Sequence, residues 1–312
     1  MYQFFDVLHN DDSSYIIIQS QDGEPHEITL DTGEPFARHE CSYGRSRVYE
    51  CKNQPYSSTV RLNIDGTPVE MAVSKYPSYK DEIIMATCVK CEDDYVVQWI
   101  EFHKKIGISR FIFYDNFRNT TLTPNYREGA SKTSDLKRVL REYIEDGTAL
   151  VIDWPYEGGK NQVFQPGQQA HSINAFKTAR YIGLLDVDEY VTMAYHDNVR
   201  QIFKGDHSYS LRSRCFYNIH KKPTDGYEFL KIYTCTDPSV KSCPILRGDK
   251  VFIYPRTAYT TAIHCVSTPG HHVEFVNPKL CVFNHYVFLN KLTEPRYLGG
   301  ALTTNDEILR FL

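Results

Sequence analysis

Up to about residue 80, apolar residues come in short runs separated by polar clusters: Tyr15-Ile16-Ile17-Ile18, Arg47-Val48-Tyr49-Glu50 and Thr59 to Ile64. Such short, partly β-branched runs are strand-like, and Asp65-Gly66 supplies a hairpin turn into Val69 to Val73. Residues 1–80 are expected to form a small β-rich N-terminal region, with Lys75 to Lys80, which includes Pro77, as the joint to residues 81–312.

After residue 82 the pattern alternates. Ile83 to Val89 is a continuous apolar run, as in a strand covered on both faces. Asp93 or Asp94 can cap a helix with Val96, Trp99, Ile100, His103 and Ile106 on its apolar face, ended by Gly107. Phe111 to Tyr114 reads as a second strand. Ser134 can cap a helix with Leu136, Val139, Leu140, Tyr143 and Ile144 on one face, and Ala149 to Ile152 follows as a third strand. A loop from Pro155 to Pro166 leads to a helix around Gln168 to Thr178, and a fourth strand, Tyr181 to Leu185, runs into Asp186-Val187-Asp188. This alternation predicts an α/β fold with a Rossmann-like, mostly parallel sheet and right-handed crossovers. Ligands in such sheets bind beyond the carboxyl ends of the strands, so Glu92, Asp115, Asp186 and Asp188 are expected to converge. The alternation fades after residue 190. The remainder, with Arg247, Lys250, His264, His271, His272 and His285, is expected to fold back over the open side of the sheet.

Composition narrows the partners. The net charge of -4 gives no basic field for a polyanion, which argues against nucleic acid. The nine cysteines have no framework spacing, and Cys88-x-x-Cys91 lacks a second pair for a structural zinc, so the thiols read as reduced. The start, Met1 to Asp6, has no basic n-region, and no window reaches 18 uninterrupted apolar residues, so neither a secretory signal nor a membrane span is expected. A cytoplasmic setting follows as the expectation, and oligomeric state is not legible. The 23 tyrosines and 17 phenylalanines fit β-rich packing, and some can stack on sugar rings.

The chemistry concentrates on Asp186-Val187-Asp188. Two carboxylates flanking one residue at the end of a buried strand can hold Mg²⁺ or Mn²⁺, which takes oxygen ligands and leaves positions for substrate phosphates. The competing reading is a solvated acidic turn, and position after the fourth strand favours the ligand site. Asp115-Asn116 can read a nucleobase or ribose, or simply form an Asx turn. Glu92 is a weaker candidate of the same kind, and Gln168-Gln169 can either reach a donor or serve as a polar first turn. Arg247 and Lys250 can hold a diphosphate as point charges or lie on the surface. His264 and His285 each sit in apolar strand-like settings and either can complete a metal site. A general base for an acceptor hydroxyl would come from Asp225, Glu228, Asp237, Asp249 or Glu274, with Asp225 preferred because a loop position can face the acceptor.

These residues carry a family resemblance. Lys90 to Asn116, KCEDDYVVQWIEFHKKIGISRFIFYDN, resembles the opening of glycosyltransferase family 92 and its family 2-like relatives. So do Tyr143 to Pro155, YIEDGTALVIDWP, the Gln168-Gln169-Ala170 and GLLDVDEY segments, and the late Ile263-His264 and Asn284-His285-Tyr286 segments. The likeness runs from about residue 83 to 300 and leaves residues 1–80 outside it. It implies a GT-A fold, an inverting mechanism, a nucleotide-sugar donor (UDP- ahead of GDP-), a glycan or glycoprotein acceptor, and a divalent metal, Mn²⁺ ahead of Mg²⁺. It also implies metal roles for Asp186 and Asp188, with His285 as third ligand, while the residues' own positions make Glu92, Asp115, Gln169, Lys250 and Asp186 the donor-binding candidates. Cys91 stands where the family has Asn, and Phe117-Arg118-Asn119 replaces a Ser/Thr-Asp-rich continuation, so donor specificity departs from the pattern. Family members are typically anchored in the secretory pathway, and a chain without an anchor points to a bacterial or viral source. The alternative is a non-catalytic glycan-binding protein on the same frame. A phosphohydrolase or nucleotidyltransferase using the same acids would want a second acidic cluster, which the sequence lacks.

Overall fold

The structure, a computed structural model, describes residues 4–20, 24–39, 46–90, 92–116, 135–156, 164–217, 235–236, 249–262, 265–266, 270–287 and 303–304. It is a mixed α/β protein with few helices, organised on a large sheet. Seven strands come first: β1 (Phe4–His9), β2 (Tyr15–Ser20), β3 (Ile28–Leu30), β4 (Ala37–His39), β5 (Ser46–Cys51), β6 (Thr59–Ile64) and β7 (Thr67–Ala72). They form two antiparallel sheets, β1-β2-β5-β4 and β3-β6-β7. The β6–β7 hairpin turns where the sequence indicates, with Asp65 and Gly66 both at positive φ.

The large sheet takes β8 (Ile83–Val89), β9 (Arg110–Asp115), β10 (Ala149–Asp153), β11 (Tyr181–Leu184), β13 (Ser208–Leu211), β16 (Lys250–Ile253) and β19 (Val273–Phe275), in the order β10-β9-β8-β11-β16-β13-β19. The first four run parallel, while β16 is antiparallel to both of its neighbours. Beside it lies a smaller sheet of β12 (Glu189–Met193), β20 (Cys281–Val287) and β14 (Ser213–Tyr217). Two-residue strands complete the set: β15 (Cys235–Thr236) with β21 (Thr303–Thr304), and β17 (Thr261–Ala262) with β18 (Cys265–Val266).

The apolar runs of β8, β9 and β11 are continuous because both sheet faces are covered. Ile83, Met85, Phe111, Phe113 and Tyr181 point to one side, where they pack with helix α1 (Asp93–Lys105) through Val96, Trp99, Ile100 and Phe102. Trp99 is fully buried, and its truncation to Ala should cost about 3–5 kcal/mol. Ile84, Ala86, Ile112, Tyr114 and Ile182 point to the other side, against helix α4 (Phe164–Ala175) and against Phe5, Leu8, Ile16 and Ile18 of the N-terminal strands. In β2 the alternate residues Tyr15 and Ile17 face a third core, shared with Ile28, Leu62 and Ile64. The layers therefore run from the β3-β6-β7 sheet through the β1-β2-β5-β4 sheet and α4 to the large sheet, and then to α1.

Three details differ from the sequence expectation. The N-cap of α1 is Glu92, with no side-chain cap, and the Asp93 carboxylate instead accepts the Asp135 N–H. The helix expected from Ser134 to Gly147 is two short ones, α2 (Leu136–Val139) and α3 (Arg141–Glu145), interrupted at Leu140. Helix α4 begins at Phe164, ahead of the expected Gln168, and ends at Ala175, because Pro166 is tolerated in a first turn where its missing N–H costs nothing. Among the described residues no helix is long and apolar enough to cross a membrane.

Candidate active site

The acidic site is built on the turn that joins the end of β11 at Leu184 to the start of β12 at Glu189. Leu185 and Val187 are buried in the core, which leaves Asp186 and Asp188 partly open. The chain then turns tightly: the Glu189 N–H donates to the Asp186 carbonyl at 3.0 Å, and the Asp186 N–H donates to Glu189 Oε2 at 2.8 Å. β12 starts at Glu189 and pairs with β20 so that Glu189 stands opposite His285. The Tyr286 N–H closes the other side on the Asp188 carbonyl at 2.9 Å. From behind, the Trp99 indole donates to the Glu189 carbonyl at 2.9 Å, tying α1 to the turn.

The side chains converge on this turn. His285 Nε2 lies 3.5 Å from Asp188 Oδ2, and His285 Nδ1 lies 3.8 Å from Glu189 Oε1. Lys250, buried on β16, places its ammonium 2.8 Å from Asp186 Oδ2 and 3.0 Å from Glu189 Oε2. On the open side, Gln165 Nε2 of α4 donates to Asp186 Oδ1 at 3.3 Å. Asp188, Glu189 and His285 each offer one ligand atom, and these atoms lie within 4.8 Å of one another. Two carboxylate oxygens and an imidazole nitrogen suit a divalent cation such as Mn²⁺.

Electrostatics reflect the crowding. Burial pushes the Glu189 carboxyl up to about 7; Lys250 and His285 pull it down, while Asp186 and Asp188 push it further up. Burial works against the charged form of Lys250, but Asp186 and Glu189 outweigh it and hold the ammonium well above its usual range. His285 is likewise raised: burial lowers it, and Asp188 and Glu189 more than compensate. Burial raises the Cys88 thiol strongly, and the charges of Asp186, Glu92 and Asp115 add to that effect. Those three acids follow three neighbouring parallel strands, and each contributes to the field at Cys88.

Other candidates take different places. Asp115 is buried at the end of β9, in register with Val89. Asn116 is committed to the backbone, donating to the carbonyls of Trp154 and Tyr156, the latter at 2.8 Å. Gln169 is buried on α4 one turn after Gln165, and its Oε1 has no hydrogen-bond partner among the described residues. Gln168 turns instead to Ser172 at 2.9 Å. Asp249 pairs with Arg212 at 3.4 Å, and Glu274 with His207 at 2.8 Å. Asp225, Glu228, Asp237, Arg247 and His264 lie outside the described residues.

Sequence reasoning missed Glu189 and Gln165. A carboxylate opening an otherwise apolar strand, Glu189-Tyr190-Val191, was the available signal for Glu189. Gln165 lay inside what reads as a loop.

Residues 85–297 match the family model described as glycosyltransferase family 92. The match covers well over half of the chain, so the chain belongs to that family and is a glycosyltransferase, working between a sugar donor and a glycan acceptor. No curated protein matches the chain.

Proposed function

We propose that this family 92 glycosyltransferase moves a sugar from a nucleotide-diphosphate donor, UDP- ahead of GDP-, to a glycan hydroxyl by a single inverting displacement that needs Mn²⁺ or Mg²⁺. The observation that carries this reading is the grouping of Asp188, Glu189 and His285 ligand atoms within 4.8 Å beside Asp186. Asp188, His285 and the newly found Glu189 would hold the metal. When bound, it would supply Lewis-acid neutralisation of the charge developing on the leaving diphosphate. Asp186, held by Lys250 and Gln165, would face the donor together with Glu92, Asp115 and Gln169. Lys250 would fix the carboxylates rather than touch phosphate, since its ammonium already lies between Asp186 and Glu189.

The strand order and the acids on the carboxyl edge of the parallel strands support a GT-A reading of the fold. The acceptor-side base remains with Asp225, which would take the hydroxyl proton as the bond to the sugar forms. A cytosolic setting belongs to the same reading, in keeping with the free thiols of Cys51, Cys88 and Cys281. The test is sugar release and transfer from UDP- and GDP-sugars with and without Mn²⁺. Asp188→Asn should lose about 100-fold or more in turnover, the order seen when one charge-stabilising group is removed from an active site, with an unchanged circular-dichroism spectrum. Full activity in that variant, or in the presence of excess EDTA, would refute the metal assignment.

A further inference from the structure

A buried chain of polar groups links the first strand to the donor side of the site. Asp6, on β1, accepts at Oδ1 from Ser74 Oγ at 2.9 Å and from the Val7 N–H at 2.8 Å, and at Oδ2 from Tyr76 at 2.9 Å. His171 Nε2 of α4 lies 3.0 Å from the same Oδ2, and His171 Nδ1 lies 2.7 Å from the Tyr114 hydroxyl. Ser172 Oγ stands 3.0 Å from that hydroxyl, and Gln168 Nε2 stands 2.9 Å from Ser172 Oγ.

Donor and acceptor counting gives an arrangement in which every group of this chain is partnered. An ionised carboxylate only accepts, so His171 carries its proton on Nε2 and gives it to Asp6. An unprotonated Nδ1 accepts from Tyr114, whose oxygen accepts from Ser172, whose oxygen accepts from Gln168 Nε2; Ser172 Oγ also lies 2.9 Å from the Gln168 carbonyl. Asp6 supports the ionised end. Burial pushes its carboxyl up, but the bonds from His171, Tyr76 and Ser74 outweigh burial and leave it below the ordinary value. The packing leaves little slack. A Cβ on Gly167, beside Gln168, would sit 2.4 Å from the Phe5 ring, and that ring is boxed by Trp154 and Tyr156 with centroids at 5.4 and 4.7 Å.

We propose that Asp6 is a positioning residue for the glycosyl donor: it fixes the His171 tautomer and so holds the first turns of α4, presenting Gln165 to Asp186 and the buried Gln169 oxygen to the donor. This gives the N-terminal strands a part in donor binding, and it rests on the donor-side reading of Asp186 and Gln169 above. Asp6→Asn keeps the shape but turns an N–H toward His171 Nε2. The imidazole must then move its proton to Nδ1 and donate to Tyr114, which reverses the Tyr114–Ser172 bond and turns the Ser172 proton to the Gln168 carbonyl, while Gln168 Nε2 remains a donor.

Two readouts test this. In ¹⁵N-histidine NMR, with His171 assigned by a His171→Phe control, the wild-type ring should be neutral with its proton on Nε2, and the Asp6→Asn ring should carry it on Nδ1. A wild-type imidazolium or Nδ1–H form, or a tautomer unchanged in Asp6→Asn, overturns the proposal. In steady-state kinetics, Asp6→Asn should raise the donor KM about tenfold, the effect of one misplaced hydrogen bond, with kcat within about twofold. Tyr114→Phe, an isosteric change at the middle of the chain, should do the same, and the double variant should be no worse than either single one. A fall in kcat at constant KM, or additive losses, would mean a merely structural role. If the enzyme uses a donor other than a nucleotide sugar, the nucleotide reading fails, and the same KM comparison is made on the donor it does use.

Discussion

Two carboxylates, the half-buried Asp6 and the buried Glu189, sit on opposite sides of the large sheet and are shifted in opposite directions. Asp6 is surrounded by donors from Ser74, Tyr76, Val7 and His171, and its ionised form is favoured. Glu189 shares the Lys250 ammonium with Asp186 and has Asp188 as a further acidic neighbour, so its ionised form is disfavoured. Burial raises both carboxyls, so the lowering of Asp6 comes from its neighbours. What differs is whether the neighbours are hydrogen-bond donors, His171 among them, or competing acids. A donor-satisfied carboxylate holds elements in place. A carboxylate crowded with others gains from an added cation, which is what a substrate- or metal-binding edge requires.

The hardest test of this contrast is Lys250→Met. Removing the ammonium breaks the fully buried Lys250–Glu189 pair and leaves Glu189 with His285 as its basic neighbour, and the loss should be about 3–5 kcal/mol in urea unfolding without metal; the half-exposed Asp186 adds little. Asp6→Asn removes one acceptor among several bonds and should cost much less. Equal losses in the two variants would show that the clusters do not differ in the way their neighbours suggest.

Next in size is the response to a divalent cation. A Mn²⁺ concentration near 100 times its Kd should stabilise the wild-type protein by about 2.7 kcal/mol, read as a rise in Tm. The rise should persist in Asp6→Asn and vanish in Asp188→Asn and His285→Ala. A rise that survives the loss of Asp188 would move the cation elsewhere.

Much of the carboxyl edge of the parallel strands was legible because it depends on local sequence. Ile83 to Val89, Phe111 to Tyr114 and Tyr181 to Leu184 are apolar throughout, and each runs out into an acid or an acid-bearing turn, so the strands and their polar ends can be read together. Pairings over long separations were not legible. That Glu189 would face His285 depends on the β12–β20 register, and that Lys250 would be buried depends on β16 inserting antiparallel beside β11. The Asp6–His171 contact joins residues 165 positions apart, and neither residue carries a local signal for it. Asn116 shows the opposite failure: a residue that looks like a nucleotide reader is spent on two backbone carbonyls.

The smallest expected effect is in the pH dependence, and its sign separates the two clusters. Glu189 in the folded protein is pushed up to about 7 from an ordinary 4.5, and His285 is raised above 6.5. Between the ordinary and folded values the folded state binds the extra proton, so stability from these groups falls as pH rises through that interval. Asp6 and Glu50 are lowered from 3.8 and 4.5, so their contribution is present above those values and is lost as pH falls through the folded ones. Below pH 6.5 the buried His103, lowered to about 3, and the lowered His271 add stability as pH rises and mask the site's contribution. Lys177, lowered to about 8, adds stability above that pH. The clean window is therefore about pH 6.5 to 7.5, where Lys250 stays charged and Glu189 and His285 dominate. Metal-free protein should lose stability across that window in urea titrations. With saturating Mn²⁺ the slope should flatten or reverse, because the metal requires ionised Glu189 and neutral His285 and binds more tightly as they deprotonate. A metal-free protein that gains stability from pH 6.5 to 7.5 would mean that Glu189 and Asp6 are the same kind of carboxylate after all.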